Sequence, residues 1–508
     1  MGKILKTGML LTILTFLGKV TAFFRETLIA AVYGASSTTD AYLVAFSLIN
    51  IIFMTFGAAI GTTIIPGYTK IKNAGTEQNI EKYLSSFISF LLIVSIVIIL
   101  VSWLSSSFII SSLFPNLKDK ELAVALTNIL LPTLILMIIN SFITNILNVH
   151  KVFLFPSLGV FLGNLIVVLV LVVSKSMSIY PLVIGQICSL VFQVLLLIVV
   201  SKKLNLTFTI KLTSIDFQLI RDDLKSMLPI ILVTIMMQSN VIVDRFLSSS
   251  LGTGSVTKIS LAYKITDFLV SILITVFGTI LYSNFAEFYL KKEYRALSQM
   301  FIKSVKIILI ITIPIVAGAI LYSRDIVTVL LGYGKFNGND VDYTAKIFMF
   351  YACAIPVLVI NSIIVRFMYA VGQSRTVNYN QMIYTVLNII LGISLVKIFK
   401  GVGLPLAFAT STLISLLLLM KTLKKYINQS KVNELLFFNL KIIASALIMS
   451  ISLISYNSLV KNVYIKLFSG VILGIIVYFI TLILLRVEEF AFVSNLVRKR
   501  GHNGFSSK

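Results

Sequence analysis

The stretch "VTAFFRETLIAAVYG" (residues 20–34) sets an arginine beside a glutamate in an otherwise apolar run, with Lys19 just before it. The surrounding segment reads as a lipid-spanning helix, where a charge at the bilayer centre costs roughly 2.5–3.5 kcal/mol even on the mildest scale. Lys19, Arg25 and Glu26 therefore need a reason to be there. If the span enters hydrocarbon near Thr7, a rise of 1.5 Å per residue puts Lys19 about 18 Å deep and Arg25 about 27 Å. Lys19 and Glu26 share a helix face, with Arg25 about 100° around. Arg25 can snorkel to the headgroups and pair locally with Glu26. Lys19, near the midplane, cannot do so easily, which favours an interior cavity.

Over its 508 residues the chain is 58% hydrophobic and only 12% charged, where soluble proteins are about a quarter charged. It reads as an integral membrane protein. The mid-segment charges and the lack of a small-residue cleavage site make the first run a span rather than a cleavable signal. Cys188 and Cys353 lie in apolar segments and are expected to be packing residues, with no disulfide or zinc framework. His150 and His502 fall in a short loop and the tail, which argues against a metal centre. The net charge of +24 does not require nucleic acid, because the basic residues alternate with spans and topology accounts for them.

Apolar stretches of roughly 20 residues place about fourteen spans between 4–32 and 464–485, among them 122–148 and 344–371, an all-α polytopic protein. One set of loops holds Lys70, Lys72 and Lys82, then Lys151, Lys202 and Lys203, then Lys291, Lys292, Arg295 and Arg375. That bias predicts cytoplasmic loops and puts both termini on the same side. The chain also repeats. Asn164 precedes Pro181-Leu182 by 17 residues, as Asn388 precedes Pro405-Leu406. "AFSLIN" with Gly61-Thr62 matches "AYKITD" with Gly278-Thr279 at an offset of 217. Two six-span lobes in parallel duplication follow, 1–210 and 211–428. Two extra spans occupy 429–486, and 487–508 is a basic cytoplasmic tail suited to anionic lipid.

By the repeat, Glu26 corresponds to Asp244 and Asn50 to Asp267. Lys264 and Asp267 sit in the eighth span, and Lys19 and Lys264 have no obvious partner at helical spacing. A surplus of buried cations points to an anionic ligand. Arg366 and Arg375, near the end of the tenth span, read first as positive-inside anchors. Asp40, after "YGASSTT", is a helix N-terminal charge favoured by the dipole. Pro66, Pro132, Pro156, Pro314, Pro356 and Pro405 mark kinks or span ends.

These residues resemble a known family. "FFRETLIAAVYGASSTTDAYLVAF" is similar to the N-terminal signature of the MurJ (MviN) lipid II flippases, within the multidrug/oligosaccharidyl-lipid/polysaccharide exporter superfamily. "VDRFLSSSLGTGSVTKISLAYKITDF" and "RFMYAVGQSRT" resemble two later signatures. The resemblance implies a V-shaped cavity, alternating access, and export of an undecaprenyl-pyrophosphate-linked sugar. It assigns cavity cations to Lys19, Arg25 and Lys264 and a prenyl-tail groove to the last two spans; the residues themselves add Glu26 and Asp267 as candidate substrate contacts, and Asp40, Ser37, Ser255 and Arg366 as gate or structural positions. It departs from the family at Phe53 and Met54, where basic residues are usual, and at Lys19 and Lys264, where arginines are. A sodium site would use Asp244 and Asn388, although Gly392 stands where that site has an acid. No cofactor is expected beyond sodium or the membrane potential. Membrane lipids and cell-wall synthesis enzymes are the expected partners.

A Wzx-like flippase for another lipid-linked oligosaccharide is the nearest alternative. A drug exporter would line its cavity with acids and aromatics, and the key positions here are basic. A membrane enzyme would need an acid/base set on a sizeable outer loop, but loop 323–343 offers only Asp325, Asp340 and Asp342. The substrate-free form is expected to close Gly34–Thr39 against Gly252–Thr257, near Ser37 and Ser255. It is expected to open on the basic side, where the loops around Lys72, Lys151, Arg295 and Arg375 repel one another.

Overall fold

The structure is a computed structural model that describes residues 2–174, 178–204, 206, 215–424, 426 and 430–487. The basic tail expected over 487–508 lies outside the described residues except for Val487. The helices are α1 Gly2–Tyr33, α2 Ser37–Ala74, α3 Glu77–Leu113, α4 Lys120–Leu130, α5 Thr133–Val149, α6 Leu154–Ser174, α7 Tyr180–Lys203 and α8 Phe217–Ser249. They continue with α9 Ser255–Leu290, α10 Tyr294–Leu321, α11 Ser323–Leu331, α12 Gly338–Ala352, α13 Ile355–Ala370 and α14 Ser374–Phe399. The last three are α15 Gly403–Leu423, α16 Ser430–Asn457 and α17 Val463–Leu484.

Local chemistry sets the helix ends. Ser36, Thr76, Asp216 and Asn462 cap α2, α3, α8 and α17, each accepting a first-turn N–H that would otherwise be orphaned. Two expected spans are broken instead of continuous. Residues 122–148 divide at Leu131–Pro132, with a bend of 44° between α4 and α5. The span expected at 344–371 divides before Pro356, with a bend of 43° between α12 and α13. Proline lacks the N–H and crowds the preceding turn, so both breaks sit where the ladder is weakest. Pro66, by contrast, is carried inside an unbroken α2.

Among the described residues, nine stretches are long and apolar enough to cross a membrane, or up to 11 if each bent pair is one span. Each span expected from sequence falls on one of these helices or bent pairs, although this count by length and apolarity does not reach fourteen. One stretch, Ser374–Leu423, holds both α14 and α15, which pack side by side. Helices α1 and α9, 32 and 36 residues long, exceed the roughly 20 residues a bilayer needs and fall outside that count. The protein is an all-helical, multi-pass membrane protein.

Contacts divide the chain into two compact units, Met1–Ser260 with Tyr333–Asn337, and Leu261–Gly332 with Gly338–Lys508. In the first unit, α2 is the hub, packing against α3, α4, α5 and α8. It runs antiparallel to α8, with Ser47 beside Arg245 near one end and Gly67 beside Asp223 near the other. Its core joins Tyr68, Tyr83, Phe87 and Phe142. In the second unit, α10, α16 and α17 pack together and share a core of Tyr322, Phe438, Met449, Leu453 and Tyr478. Cys188 and Cys353 are free and exposed, not packing residues.

Candidate functional site

Helix α1 packs against α6, and Arg25 reaches across that contact. Arg25 Nη2 donates to Glu26 Oε1 at 2.8 Å, and Nη1 donates to Asn164 Oδ1 at 3.1 Å. Arg25 Nε is buried and has no hydrogen-bond partner. The side chains of Arg25 and Glu26 are 19% and 13% exposed, so the pair is shielded but not sealed. Asn164 Nδ2 donates back to Val160 O and, at 3.5 Å, to Gly18 O. The local Arg25–Glu26 pairing expected from sequence is present. Asn164, singled out only as a repeat marker, turns out to orient the arginine. Lys19 and Lys264 are half-buried, and Asp267 is exposed. Both lysines have interaction partners, so the expected surplus of unpaired cations is not what the structure shows.

The opposite end of α2 is tied by its own acid. Asp40, 3% exposed, accepts the backbone N–H of Gly254 at 2.6 Å, that of Thr257 at 2.8 Å, and the Thr257 hydroxyl at 2.6 Å. It thus caps the N-terminus of α9, where backbone donors and the helix dipole favour a carboxylate. Asp40 and Thr257 are 217 residues apart, the same offset at which "AFSLIN" and "AYKITD" match in the sequence. Gly254, at φ +78°, packs so closely that a Cβ there would overlap the Ala35 carbonyl. Arg245 reinforces the junction, donating to Ser47 Oγ at 3.1 Å and Ser260 Oγ at 3.2 Å. Ser255 is buried. Thr253, rather than Ser255, shares a cavity of about 10 Å³ with Ser37, Asp40 and Gly252. The loop Tyr333–Asn337 also docks here, with Lys335 N donating to Ala31 O at 2.8 Å.

The basic end of α2 is tied as well. Tyr83 Oη donates to Asp223 Oδ2 at 2.7 Å, and Gly67 leaves just enough room, since a Cβ there would lie 2.7 Å from Asp223. Lys82 pairs with Asp216 at 2.7 Å, which holds the Asp216 carboxyl below its ordinary range. Asp216 and Asp223 thus sit among the lysines at this end of the first unit. His150, capping α5, contacts Tyr68 Oη at 2.8 Å and Lys72 Nζ at 3.4 Å.

The remaining candidates separate. Arg366, on α13, bonds to Ser362 and packs over Gly278 of α9, so it is a packing contact in the second unit rather than a simple headgroup anchor. Asn388 is buried, with its Oδ1 accepting from Ser411 Oγ at 3.2 Å. Asp244 is half-buried on α8, in the other compact unit. No cluster of three His, Cys, Asp or Glu suited to a metal occurs among the described residues. Helices α10, α16 and α17 enclose an apolar groove of about 730 Å³, with Lys303 near one end and Tyr322 near the other.

The family model for lipid II flippase MurJ matches residues 29–475. The chain belongs to that family. It is 26% identical over 467 residues to the "Probable lipid II flippase MurJ" of Buchnera aphidicola subsp. Acyrthosiphon pisum, covering 89% of each chain. It is 23% identical over 451 residues to the "Lipid II flippase MurJ" of Burkholderia cenocepacia, covering 86% of this chain and 87% of the other. Its fold matches a lipid II flippase MurJ solved in an inward closed conformation, with a TM-score of 0.82 at 23% identity, covering 94% of this chain and 99% of that one. A multidrug resistance MATE family transporter of the MOP superfamily, solved facing inward, matches at a TM-score of 0.67 and 14% identity, covering 80% and 95%. Within the MurJ family fold, this chain carries polar contacts at the two ends of α2 and at the α1–α6 contact.

Proposed function

We propose that this chain is a flippase that carries lipid II, the undecaprenyl-pyrophosphate-linked peptidoglycan precursor, from the cytoplasmic to the outer leaflet by alternating access. It would act in the bacterial cell membrane with both termini cytoplasmic. The family match over residues 29–475 carries this reading. The side chains supply a mechanism. A pyrophosphate cannot cross hydrocarbon unaided, so it needs donors inside the membrane. Arg25 offers a guanidinium with one carboxylate partner, one amide partner and an unengaged Nε. Such a fork suits a phosphate. The apolar groove beside Lys303 would keep the prenyl tail out of water. Sodium or the membrane potential would supply the drive, and cell-wall synthesis enzymes would supply and consume the lipid.

A second reading has one observation behind it. Lysines at 19 and 264 offer point charges in place of forks, which suits another lipid-linked oligosaccharide of the same pyrophosphate chemistry. Depletion in the native cell separates the two. The lipid-linked intermediate that accumulates on the inner leaflet should carry the peptidoglycan disaccharide-peptide. Accumulation of a different glycan on the carrier would favour the second reading, and no accumulation would refute both.

A further inference from the structure

Helix α5 presents two faces of opposite chemistry. Ile138, Phe142, Ile143, Ile146 and Leu147 are buried in the core. Asn140, Ser141, Thr144, Asn145 and Asn148 are only half-buried, and together they form one stripe at helical spacing. No charged residue occurs between Leu122 and Val149. Surfaces of this protein that suit lipid look different. The exposed positions of α17 include Phe468, Val471, Ile472, Ile475 and Phe479, and those of α3 include Ile96, Val97, Leu100 and Leu104. An amide and hydroxyl stripe does not face hydrocarbon when aliphatic faces are available to do so. It faces water or a polar ligand.

The stripe is held in place and kept approachable. Asn140 Nδ2 donates to Gln193 Oε1 of α7 at 3.4 Å, and Thr144 Oγ1 donates to Asn140 Oδ1 at 3.3 Å. Asn145 Nδ2 donates to Ser141 O at 2.8 Å, which turns the carboxamide along the helix. On the neighbouring α2, Gly57 and Gly61 let the two helices pack closely along one edge of the stripe: a Cβ at 61 would lie 3.3 Å from Asn145 Oδ1. Neutral donors and acceptors in a row match a neutral, amide- and hydroxyl-rich group, as in an N-acetylated sugar bearing a peptide. They do not match a phosphate, which draws cations.

We infer that the Asn140–Asn148 stripe of α5 is the subsite for the uncharged sugar-peptide part of the substrate headgroup, and that it sets headgroup preference. The inference rests on the flippase reading above. The full chain in lipid nanodiscs would be titrated with lipid II and with undecaprenyl pyrophosphate lacking any sugar. Wild type should bind lipid II at least tenfold more tightly. The pair Asn145→Ala with Asn148→Ala should cut that preference to about twofold, because each lost neutral hydrogen bond accounts for only a few-fold to about tenfold in affinity. Affinity for the bare pyrophosphate should not change, and Asn145→Gln, which keeps the amide, should retain most of the preference. Equal weakening of both lipids in the double variant, or no preference in wild type, overturns the subsite alone. Wild type that binds neither lipid above a phosphatidylglycerol control overturns the flippase reading and the subsite with it.

Discussion

Arg25 is held in a half-shielded position by one carboxylate and one amide, so its removal should be felt in function more than in folding. Arg25→Ala is expected to reduce transport in reconstituted vesicles by roughly 10- to 100-fold, the range of one or two charge-assisted hydrogen bonds. The protein should remain monodisperse and inserted. Arg25→Lys should keep part of the activity, since it retains the charge and loses the fork. Normal transport by Arg25→Ala would mean that the guanidinium only snorkels to headgroups. His150 invites a different measurement. Burial first, and Lys72 beside it second, hold its imidazole pKa below the ordinary value. The unfolded chain therefore takes up that proton first as pH falls. This contribution to stability is present above about pH 6.5 and is lost as pH falls below it. In detergent, His150→Gln should show a shallower drop in Tm between about pH 7 and pH 5 than wild type. Equal slopes would exclude His150 as the source. The charges of α1 were legible in the sequence because they break an apolar pattern. Asn164 was not, because an asparagine in a span has many uses until its partner is known.

Helix ends decide what the elements can do, and the junction of α2 with α9 shows how. Two backbone N–H groups and a hydroxyl donate into the two oxygens of Asp40. Asp40→Asn would turn an NH₂ toward one of those donors and remove the charge at the helix N-terminus, a loss of about 2–3 kcal/mol. Gly254→Ala would meet both a left-handed φ and the Ala35 carbonyl, at a cost of roughly 1–3 kcal/mol. In a protein whose exposed Cys188 and Cys353 have been replaced, cysteines at Ser37 and Thr253 should cross-link readily without substrate, and less readily with either added substitution. Unchanged cross-linking would show that Asp40 does not hold this junction. The "YGASSTTDA" and "LGTGSVT" turns made the contact readable in advance, since small residues permit close approach. The breaks at Pro132 and Pro356 were foreseeable as kinks. Their size was not, because packing decides whether a proline bends a helix or, like Pro66, is absorbed within it.

Alternating access asks a whole protein to hold one end shut while the other yields, with the two states only a few kcal/mol apart. In the first compact unit, α2 is tied at both ends, by Asp40 to α9 and through Gly67 to the Tyr83–Asp223 pair on α3 and α8. The acids at the basic end were visible in the sequence, but their partners come from helices far apart along the chain, so these ties could not be read from loop charge alone. If the two ties compete, weakening one should open its own end and tighten the other. A loss of about 1.5–3 kcal/mol shifts a two-state population by roughly 10- to 150-fold. Two buried reporters, Ser249→Cys beside the Asp40 junction and Ile220→Cys beside Asp223, can each be labelled with a water-soluble maleimide. In the Asp40→Asn background, Ser249→Cys should label faster and Ile220→Cys more slowly than in the parent. Tyr83→Phe, which removes the hydrogen bond to Asp223 and keeps the ring, should do the reverse. Opposite shifts are what two ties on one rigid helix must produce, since α2 can rock but not stretch. If both reporters label faster in both backgrounds, the substitutions merely loosen the bundle, and the two ends of α2 are not coupled gates.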